Sequence, residues 1–296
     1  MTEAVLGGLA IGALYVLMSI GFALNLEIAD IVNAAHGAFV VGAMYTTLRL
    51  VSFGVPVYLA IVLSGVIVGF FSWIFYLLFM RSARAESGHR IQLVYSLLFF
   101  SALTALYQLF FGANIQTLST TFGSVKMFGG YLTTAQLASI ALALVIPGVL
   151  YGLARFSMLG KLAYTASRYP LGARSIGVPV DRVYLIVFVL AGVLAGIAGG
   201  ALVTFLPVQP GLGLQYTVVV FLVALVARTN LLGCVVVGFT YGVVESVLAY
   251  HISGSTATTL TIAVFFVALM AQRFLAYGRR LLAKHTRKQV GVSLAK

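Results

Sequence analysis

The sequence predicts an all-α polytopic membrane protein, because its composition, its apolar runs and its charge distribution all point to that fold class. Of the 296 residues, 61% are hydrophobic and only 8% are charged, and the mean hydropathy is +1.09. A soluble domain carries about 25% charged residues. With only 6 acidic side chains, a soluble fold of this length could not cover its apolar residues, so lipid must solvate most of the chain.

Nine apolar runs are the candidate transmembrane helices. About 20 helical residues cross a hydrocarbon core that is about 30 Å thick. Eight of the runs approach or exceed that length, and the run 214–227 is shorter. They cover residues 6–26, 31–50, 57–80, 91–111, 134–154, 183–206, 214–227, 231–250 and 257–275. The runs predict about nine helices, within a range of 8–10. The range is needed because the polar break Arg228-Thr229-Asn230 makes residues 214–250 either two spans or a short, broken pair.

Small residues recur at helical spacing in these runs. Glycines four residues apart let helix backbones approach closely where no hydrophobic effect drives association. The pairs include Gly8 with Gly12, Gly65 with Gly69, Gly192 with Gly196, and Gly238 with Gly242. The similarity between residues 9–14 and 194–202 suggests an internal repeat of the kind that many transporters carry.

The basic residues predict the orientation of the chain. Of 18 Lys and Arg residues, all but three fall in the connection 81–90, the connection 155–182 and the segment 273–296. Because basic loops stay on the cytoplasmic side, these segments are predicted to be cytoplasmic, including a basic tail over 276–296. The amino terminus and the segments 112–133 and 207–213 are then external, and residues 1–296 form a single transmembrane domain.

The sequence contains none of the common catalytic patterns. Gly160-Lys161 lacks the preceding Gly and the following Ser or Thr that a phosphate-binding loop requires. The four His residues lack zinc-site spacing, and the single cysteine, Cys234, excludes a multi-thiolate site. The basic residues lie between apolar runs rather than on a soluble face, which argues against nucleic-acid binding. We therefore expect no enzymatic activity, no catalytic residue and no metal.

The connection 155–182 is the longest predicted segment on the inner side. Leu159 and Leu162 share a helical face, Lys161 is polar, and Pro170 restarts a helix just after Arg168. The pattern predicts two short helices joined at a corner. The connection is either a contact surface for a partner or a linker whose charge serves only topology.

Two groups of polar residues lie in or beside the predicted spans. Asn33 and His36 are three residues apart on one helical face, and Gly37 allows a neighbour to come close. They either line a passage for a small polar solute or form interhelical hydrogen bonds.

Glu245 is the one acidic residue well inside a predicted span. Because a charge there is costly, it is either a path residue or a structural partner of Arg228 or Tyr241. Thr204 and Gln209 flank the turn 207–210, where a gate or an external partner would lie.

An ordered set of motifs resembles the permease subunits of branched-chain amino acid ABC importers, over residues 5–275. The amino-terminal part is Gly8-Leu9-Ala10-Ile11-Gly12-Ala13-Leu14-Tyr15, Asn33-Ala34-Ala35-His36-Gly37 and Gly42-Ala43-Met44-Tyr45. The later part is Gly160-Lys161, Pro170, Ala173-Arg174, Ile176-Gly177, Asp181-Arg182-Val183, the run 194–200 and Pro207.

The resemblance implies a multi-pass subunit of the bacterial inner membrane that imports a small polar or zwitterionic solute by alternating access. Branched-chain or hydrophobic amino acids are the expected substrates. The implied partners are a second related permease or a second copy, two cytoplasmic ATPases, an extracytoplasmic solute-binding protein and the lipid bilayer. This chain would bind no cofactor, and the ATPases would hydrolyse ATP.

The resemblance also implies that the connection 155–182 is a coupling loop that docks on the ATPase. The docking role would map to residues 160–177. The docking candidates are Gly160, Lys161, Arg168, Pro170, Arg174, Gly177, Asp181 and Arg182. The substrate-path candidates remain Asn33, His36, Gly37, Thr204, Gln209 and Glu245. The alternative is a self-sufficient secondary carrier or channel for a neutral solute such as urea or an amide, with Glu245, Glu27 or Asp30 coupling an ion.

Overall fold

The computed structural model describes residues 1–86, 89–120, 122–127 and 129–293, and most of them are helical. The helices are α1 (Thr2–Leu24), α2 (His36–Ser52), α3 (Val57–Phe75), α4 (Arg81–Glu86), α5 (His89–Phe111), α6 (Thr134–Phe156), α7 (Met158–Arg168), α8 (Pro170–Ser175), α9 (Val180–Leu202), α10 (Leu212–Val226), α11 (Leu231–His251) and α12 (Gly254–Ser293). The π-helical turns Asn25–Ala29 and Tyr76–Met80 extend α1 and α3. An antiparallel hairpin pairs β1 (Ser124–Met127) with β2 (Gly130–Thr133).

The predicted fold class is confirmed, and each of the nine apolar runs lies mostly within a helix. Within the described residues, seven helices are long and apolar enough to cross a membrane. The other two, α2 and α10, have 17 and 15 residues. At 1.5 Å per residue they reach only about 26 and 22 Å, short of a bilayer core. The predicted tail 276–296 continues α12 to Ser293, and its last three residues lie outside the described residues.

A break between α1 and α2 explains why α2 is short. The apolar run predicts a helix from Ile31, but the helix begins at His36. Asp30 has a left-handed backbone with φ 55° and ends the π-helical turn. Gln92 of α5 then holds the turning chain, because its amide oxygen accepts from the Val32 N–H at 3.0 Å and its amide nitrogen donates to the Asp30 carbonyl at 3.2 Å.

Long-range contacts define the two ends of the bundle. At the Thr2 face, the Ser246 hydroxyl donates to the Ala4 carbonyl at 2.7 Å, and Gln116 and Val208 form a backbone bridge. At the Ala29 face, Asp30 contacts His89 at 3.0 Å and Glu27 contacts Arg168 at 3.5 Å. The helices α1 and α9 therefore run in opposite directions, because α1 begins and α9 ends at the Thr2 face.

The two halves of the chain pack in the same way with opposite orientation. Helix α1 lies along α11, and α9 lies along α3. A Cβ at Gly12 would be 2.9 Å from the Gly238 carbonyl oxygen, and a Cβ at Gly196 would be 2.6 Å from the Gly65 Cα. In this arrangement α2 and α10 occupy corresponding places, and both are short. Corresponding contacts with opposite orientation are what an inverted repeat would produce, and the repeat itself stays a prediction.

Candidate functional site

The amino-terminal ends of α2 and α10 meet inside the bundle, at what we name the helix-start junction: residues 33–38 together with 212–217. The Gly37 N–H donates to the Thr217 hydroxyl at 3.0 Å, and a Cβ at Gly37 would collide with the Gly213 carbonyl. The Thr217 hydroxyl lies 3.2 Å from the Ala34 carbonyl oxygen. The first turns of α2 and α10 therefore pack directly against each other, and this close contact requires glycine at position 37.

His36 shows that this junction is deep in the bundle. Its Nε2 lies 3.1 Å from the carbonyl oxygen of Met18, which is well inside α1. A carbonyl only accepts, so Nε2 is the protonated nitrogen. His36 is 1% exposed, and its Nδ1 has no hydrogen-bond partner among the described residues.

Asn33 stabilises the turn that precedes α2. Its side-chain oxygen accepts from the Ala35 N–H at 3.0 Å, and the residue is 1% exposed. The structure therefore places Asn33, His36 and Gly37 close together: the contact of Asn33 is local, whereas those of His36 and Gly37 join α2 to α1 and α10. Their place on a substrate path stays a prediction.

Thr204 and Gln209 lie in the segment that joins α9 to α10. The Thr204 hydroxyl donates to the Ala201 carbonyl at 2.7 Å, and the Gln209 carbonyl accepts from the Leu212 N–H at 3.2 Å. Both residues are half-buried. Gln209 precedes by one helical turn the Gly213 that packs against α2.

Glu245 borders a cavity of about 580 Å³ between α1, α10, α11 and α12, which we name the Glu245 cavity. Its two carboxylate oxygens accept from the Tyr15 hydroxyl at 2.9 Å and from the Thr258 hydroxyl at 2.6 Å. The polar lining also includes Gln215, Tyr216, Ser246 and Thr259, and the apolar lining includes Ile11, Leu206, Leu212 and Ile262.

The suggested partners of Glu245 were wrong. Tyr241 does not bond to it, and the Tyr241 hydroxyl has no hydrogen-bond partner within the described ranges. Arg228 follows α10 at the Ala29 face, beside the Thr229 that contacts Glu27. The true partners lie 230 residues away in α1 and 13 residues away in α12.

The connection between α6 and α9 folds as two short helices with a corner at Tyr169, as predicted, and we name residues 157–182 the elbow. Ser157 caps α7 by accepting from the Gly160 N–H at 3.1 Å. A Cβ at Gly160 would collide with the Ala154 carbonyl, so the sharp exit from α6 requires glycine there. Pro170 occupies the first position of α8, where its missing N–H costs nothing.

Three contacts hold the elbow to the bundle. The Tyr184 hydroxyl of α9 donates to the Ala166 carbonyl at 2.8 Å. Arg174 pairs with Asp181 at 2.9 Å, which ties α8 to the start of α9. Arg168 pairs with Glu27 at 3.5 Å, and the second carboxylate oxygen of Glu27 accepts from the Thr229 hydroxyl at 2.7 Å.

The outer side of the elbow exposes both apolar and basic side chains. Leu171 is 79% exposed and Ile176 is 75% exposed. Lys161 and Arg182 are exposed beside them, as are Pro170 and Gly177. The large exposed apolar side chains on the elbow are Met158, Leu159, Tyr164, Tyr169, Leu171 and Ile176. Apolar side chains clustered on a polar connection are typical of a protein-binding surface.

The sequence of this chain matches one known protein family over almost its whole length. The family described as the branched-chain amino acid transport system permease component matches residues 4–271. The chain belongs to this permease family. The match includes the helix-start junction, the Glu245 cavity and the elbow, and it confirms the resemblance found in the sequence.

Curated relatives of this permease are similar over most of their length. The probable branched-chain amino acid transport permease protein LivH of Methanocaldococcus jannaschii is 24% identical over an alignment of 267 positions, which covers 85% of this chain and 82% of the relative. The high-affinity branched-chain amino acid transport system permease protein LivH of Salmonella typhimurium is 22% identical over an alignment of 293 positions, which covers 90% of this chain and 92% of the relative.

A solved structure shares the fold of this permease. PsaBC from Streptococcus pneumoniae, in complex with a Fab, superposes with a TM-score of 0.52 at 14% identity, and the match covers 94% of each chain. At this identity the likeness concerns the fold alone.

Sequence reasoning missed several residues that build these sites. Tyr15 and Thr258 hold Glu245, Gln92 holds the break before α2, and Thr217 bonds Gly37. A signal existed for Thr258, which lies in the hydroxyl-rich segment 253–261. The other partners are 60, 180 and 230 residues distant in sequence, and only the packed fold relates them.

Proposed function

We propose that this permease is the membrane-spanning subunit of an ABC importer that carries branched-chain or other hydrophobic amino acids into the cell. The observation that carries the proposal is the elbow, a helical corner with exposed apolar and basic side chains. The family match and the names of the LivH relatives support the substrate class.

The Ala29 face is the cytoplasmic face in this proposal. It collects the elbow, the connection after α3 and the turn with Arg228, and basic segments remain inside. Gln272 of α12 contacts the Val226 carbonyl, which puts the basic end of α12 at the same face. The Thr2 face, with the chain start and the β-hairpin, is then external and receives a solute-binding protein.

The elbow docks on an ATPase in this proposal, and a second related permease or a second copy completes the pathway. Two ATPases hydrolyse ATP, and this chain binds no cofactor of its own. When the ATPases close, they displace the elbow. The displacement reaches the bundle through three residues: Tyr184 and Asp181 join the elbow to α9, and Glu27 joins it to α1 and to the turn after α10. Access then alternates between the two faces.

Reconstitution tests this proposal. The permease is co-expressed and purified with two ATPases and a second permease of the same organism, placed in liposomes, and supplied with loaded binding protein and radiolabelled leucine. We expect leucine uptake that requires ATP and all the subunits. Full uptake by this chain alone, without ATP, would overturn the proposal.

A secondary carrier or channel for a neutral solute such as urea or an amide is the second candidate. The observation that favours it is the acidic Glu245 beside a cavity, since intramembrane carboxylates often couple ions. The same liposomes separate the two, because a carrier responds to an ion gradient and not to ATP.

A further inference from the structure

Among the described residues the Glu245 carboxylate has no basic partner, whereas three other acidic residues have one. Glu27, Asp30 and Asp181 pair with Arg168, His89 and Arg174. Glu245 is 8% exposed, and its hydrogen-bond partners among the described residues are the neutral hydroxyls of Tyr15 and Thr258. None of the residues that line its cavity is basic.

The buried Glu245 carboxylate can accept further hydrogen bonds from a bound cation. Two carboxylate oxygens offer about four acceptor positions, and here one position on each oxygen is filled. Burying a carboxylate without a countercharge is costly, and such residues within membranes generally have a task. A cation that enters the cavity would supply the missing charge.

The cavity lining selects among cations. Its volume of about 580 Å³ lies in the range of about 300–1,000 Å³ that small-molecule sites occupy. The lining includes Glu245, Gln215, Tyr15 and Tyr216, and aromatic rings attract an ammonium group. It also includes the apolar residues Ile11, Leu206, Leu212 and Ile262. The combination suits an ammonium group that is attached to a small apolar body, and a hydrated metal ion would gain nothing from the apolar residues.

The acceptor is held rigidly. The Tyr15 ring stands edge-on to Tyr241 with centroids 5.2 Å apart, and Tyr241 packs on Phe265 at 4.8 Å. These rings fix the hydroxyl that orients the carboxylate before a ligand arrives, which lowers the cost of binding.

One turn of α10 connects the cavity to the helix-start junction. Gln215 and Tyr216 face the cavity, while Gly213 and Thr217 of the same turn contact α2. A ligand that presses on Gln215 and Tyr216 therefore acts on the turn that holds the start of α2.

We propose that the Glu245 cavity binds the ammonium group of the transported amino acid, with the carboxylate of Glu245 as its direct partner. The identity of this ligand rests on the proposed import function. The apolar lining takes the branched side chain, and the shared turn of α10 transmits occupancy to α2.

Binding is tested on the assembled transporter in lipid nanodiscs without the binding protein. The probe is isoamylamine, which joins an ammonium group to a branched apolar body, and the readout is the thermal unfolding midpoint. We expect the amine to raise the midpoint of the wild type and to leave that of Glu245→Gln unmoved, whereas 4-methylpentanoate, which lacks the ammonium, moves neither. An equal rise in both proteins overturns the proposal.

Transport in liposomes gives the second readout. We expect Glu245→Gln to lower leucine uptake by tenfold or more, and Thr258→Val, which removes one neutral donor, to lower it severalfold. Glu3→Gln is the matched control, because it removes a carboxylate of α1 that is exposed and does not line the cavity. Wild-type uptake by Glu245→Gln contradicts the inference.

The two readouts also separate this inference from the proposed function. If the wild-type complex imports no branched-chain amino acid, the proposed function fails. If it imports leucine and Glu245→Gln does so equally, only the ammonium site fails. Should Glu245→Gln not assemble, Thr258→Val and Tyr15→Phe carry the test, and unchanged amine binding in both overturns the proposal.

Discussion

Within the helix-start junction, Gly37 is the position where a larger side chain would be tolerated least. A single methyl group would meet the Gly213 carbonyl and would lie 2.7 Å from the Thr217 nitrogen. Both obstacles are backbone atoms of α10, so no side-chain rotation can relieve them. The hydrogen bond from Gly37 to Thr217 would be lost with the separation of the helices.

We predict that Gly37→Ala destabilises the protein by about 1–3 kcal/mol, the usual cost of overpacking. Thermal unfolding in detergent measures it as a lower midpoint. Gly152→Ala in α6 is the control, because a Cβ there meets nothing within 4 Å, and alanine favours a helix by about 1 kcal/mol over glycine. A midpoint for Gly37→Ala at or above that of the wild type would contradict the close packing described here.

Glu27 joins three separate parts of the chain with one carboxylate. It extends from the π-helical end of α1 to Arg168 on the elbow and to Thr229 in the turn before α11. The pair with Arg168 is about half exposed, and such pairs contribute about 0–1 kcal/mol. Its position between the elbow, α1 and the turn before α11 therefore matters more than its contribution to stability.

We predict that Glu27→Gln leaves the unfolding midpoint within about 2 °C of the wild type, as a loss below 1 kcal/mol implies, but lowers the amount of leucine imported per ATP hydrolysed severalfold. The ratio is measured in liposomes from uptake and phosphate release in the same sample. Glu3→Gln again serves as the control for loss of an exposed carboxylate. An unchanged ratio would remove Glu27 from the coupling path.

At the scale of elements, the elbow presents a surface that the rest of the fold leaves bare. The buried side holds Ala166 and Ala173, both fully enclosed, and the outer side holds Leu171 and Ile176. Large exposed apolar patches of this kind mark sites of protein interaction.

We predict that Leu171→Asp abolishes co-purification with the ATPase while the permease still inserts and folds, because the substitution places a charge in a desolvated contact. The measurement is recovery of the ATPase on a tagged permease. Phe53→Asp is the matched control, since Phe53 is 80% exposed in the turn between α2 and α3 at the other face. Equal recovery for both variants would exclude the elbow as the docking surface.

Arg174 distinguishes two roles within the elbow. A docking loop predicts that Arg174 contacts the ATPase, whereas the structure pairs it with Asp181. We predict that Arg174→Glu reduces ATP-dependent uptake at least fivefold, because two carboxylates then repel at the joint between α8 and α9. The double variant Arg174→Glu/Asp181→Arg restores the pair and should recover most of the uptake. Failure to recover would show that Arg174 acts on the partner.

Several elements could be predicted from the sequence because local signals decide them. The apolar runs predicted the helices, Pro170 predicted the corner of the elbow, and the glycine pairs predicted the close helix contacts. The start of α2 could not be predicted, because four of the residues 31–35 are apolar, and the left-handed turn at Asp30 and the distant Gln92 of α5 keep them out of the helix.

The candidate sites divide in the same way. Glu245 was recognisable as a lone acid in an apolar run, but its partners Tyr15 and Thr258 belong to helices at both ends of the chain. The Arg174 pair with Asp181 is local, yet charge alone does not say whether an arginine faces its own chain or a partner. Long-range packing decides both.

At the scale of the whole molecule, the two faces of the bundle differ in charge, and that difference fixes the proposed orientation. Phe53 lies on the Thr2 face, because Tyr58 of the following helix contacts Thr134 beside the β-hairpin at 3.4 Å. Leu171 lies on the Ala29 face. Cys234 is fully buried, so the natural thiol gives little background in labelling.

We predict that a membrane-impermeant maleimide labels Phe53→Cys in intact cells and labels Leu171→Cys only after the membrane is opened. The physical reason is the positive-inside rule applied to the elbow. The unsubstituted protein is the control for Cys234. Labelling of Leu171→Cys in intact cells would invert the assignment of the two faces.

The hydrogen bond between Gly37 and Thr217 also has a consequence for biosynthesis, because it joins residues 180 positions apart. A ribosome that has delivered α2 to the membrane has yet to make α10. Backbone groups in lipid need hydrogen-bond partners. The backbone groups at the start of α2 must therefore bond to water or to other groups until the second half of the chain is inserted. Insertion of this protein is therefore complete only after the later half has been translated, and a nascent chain that stops before α10 leaves an open polar gap in the membrane.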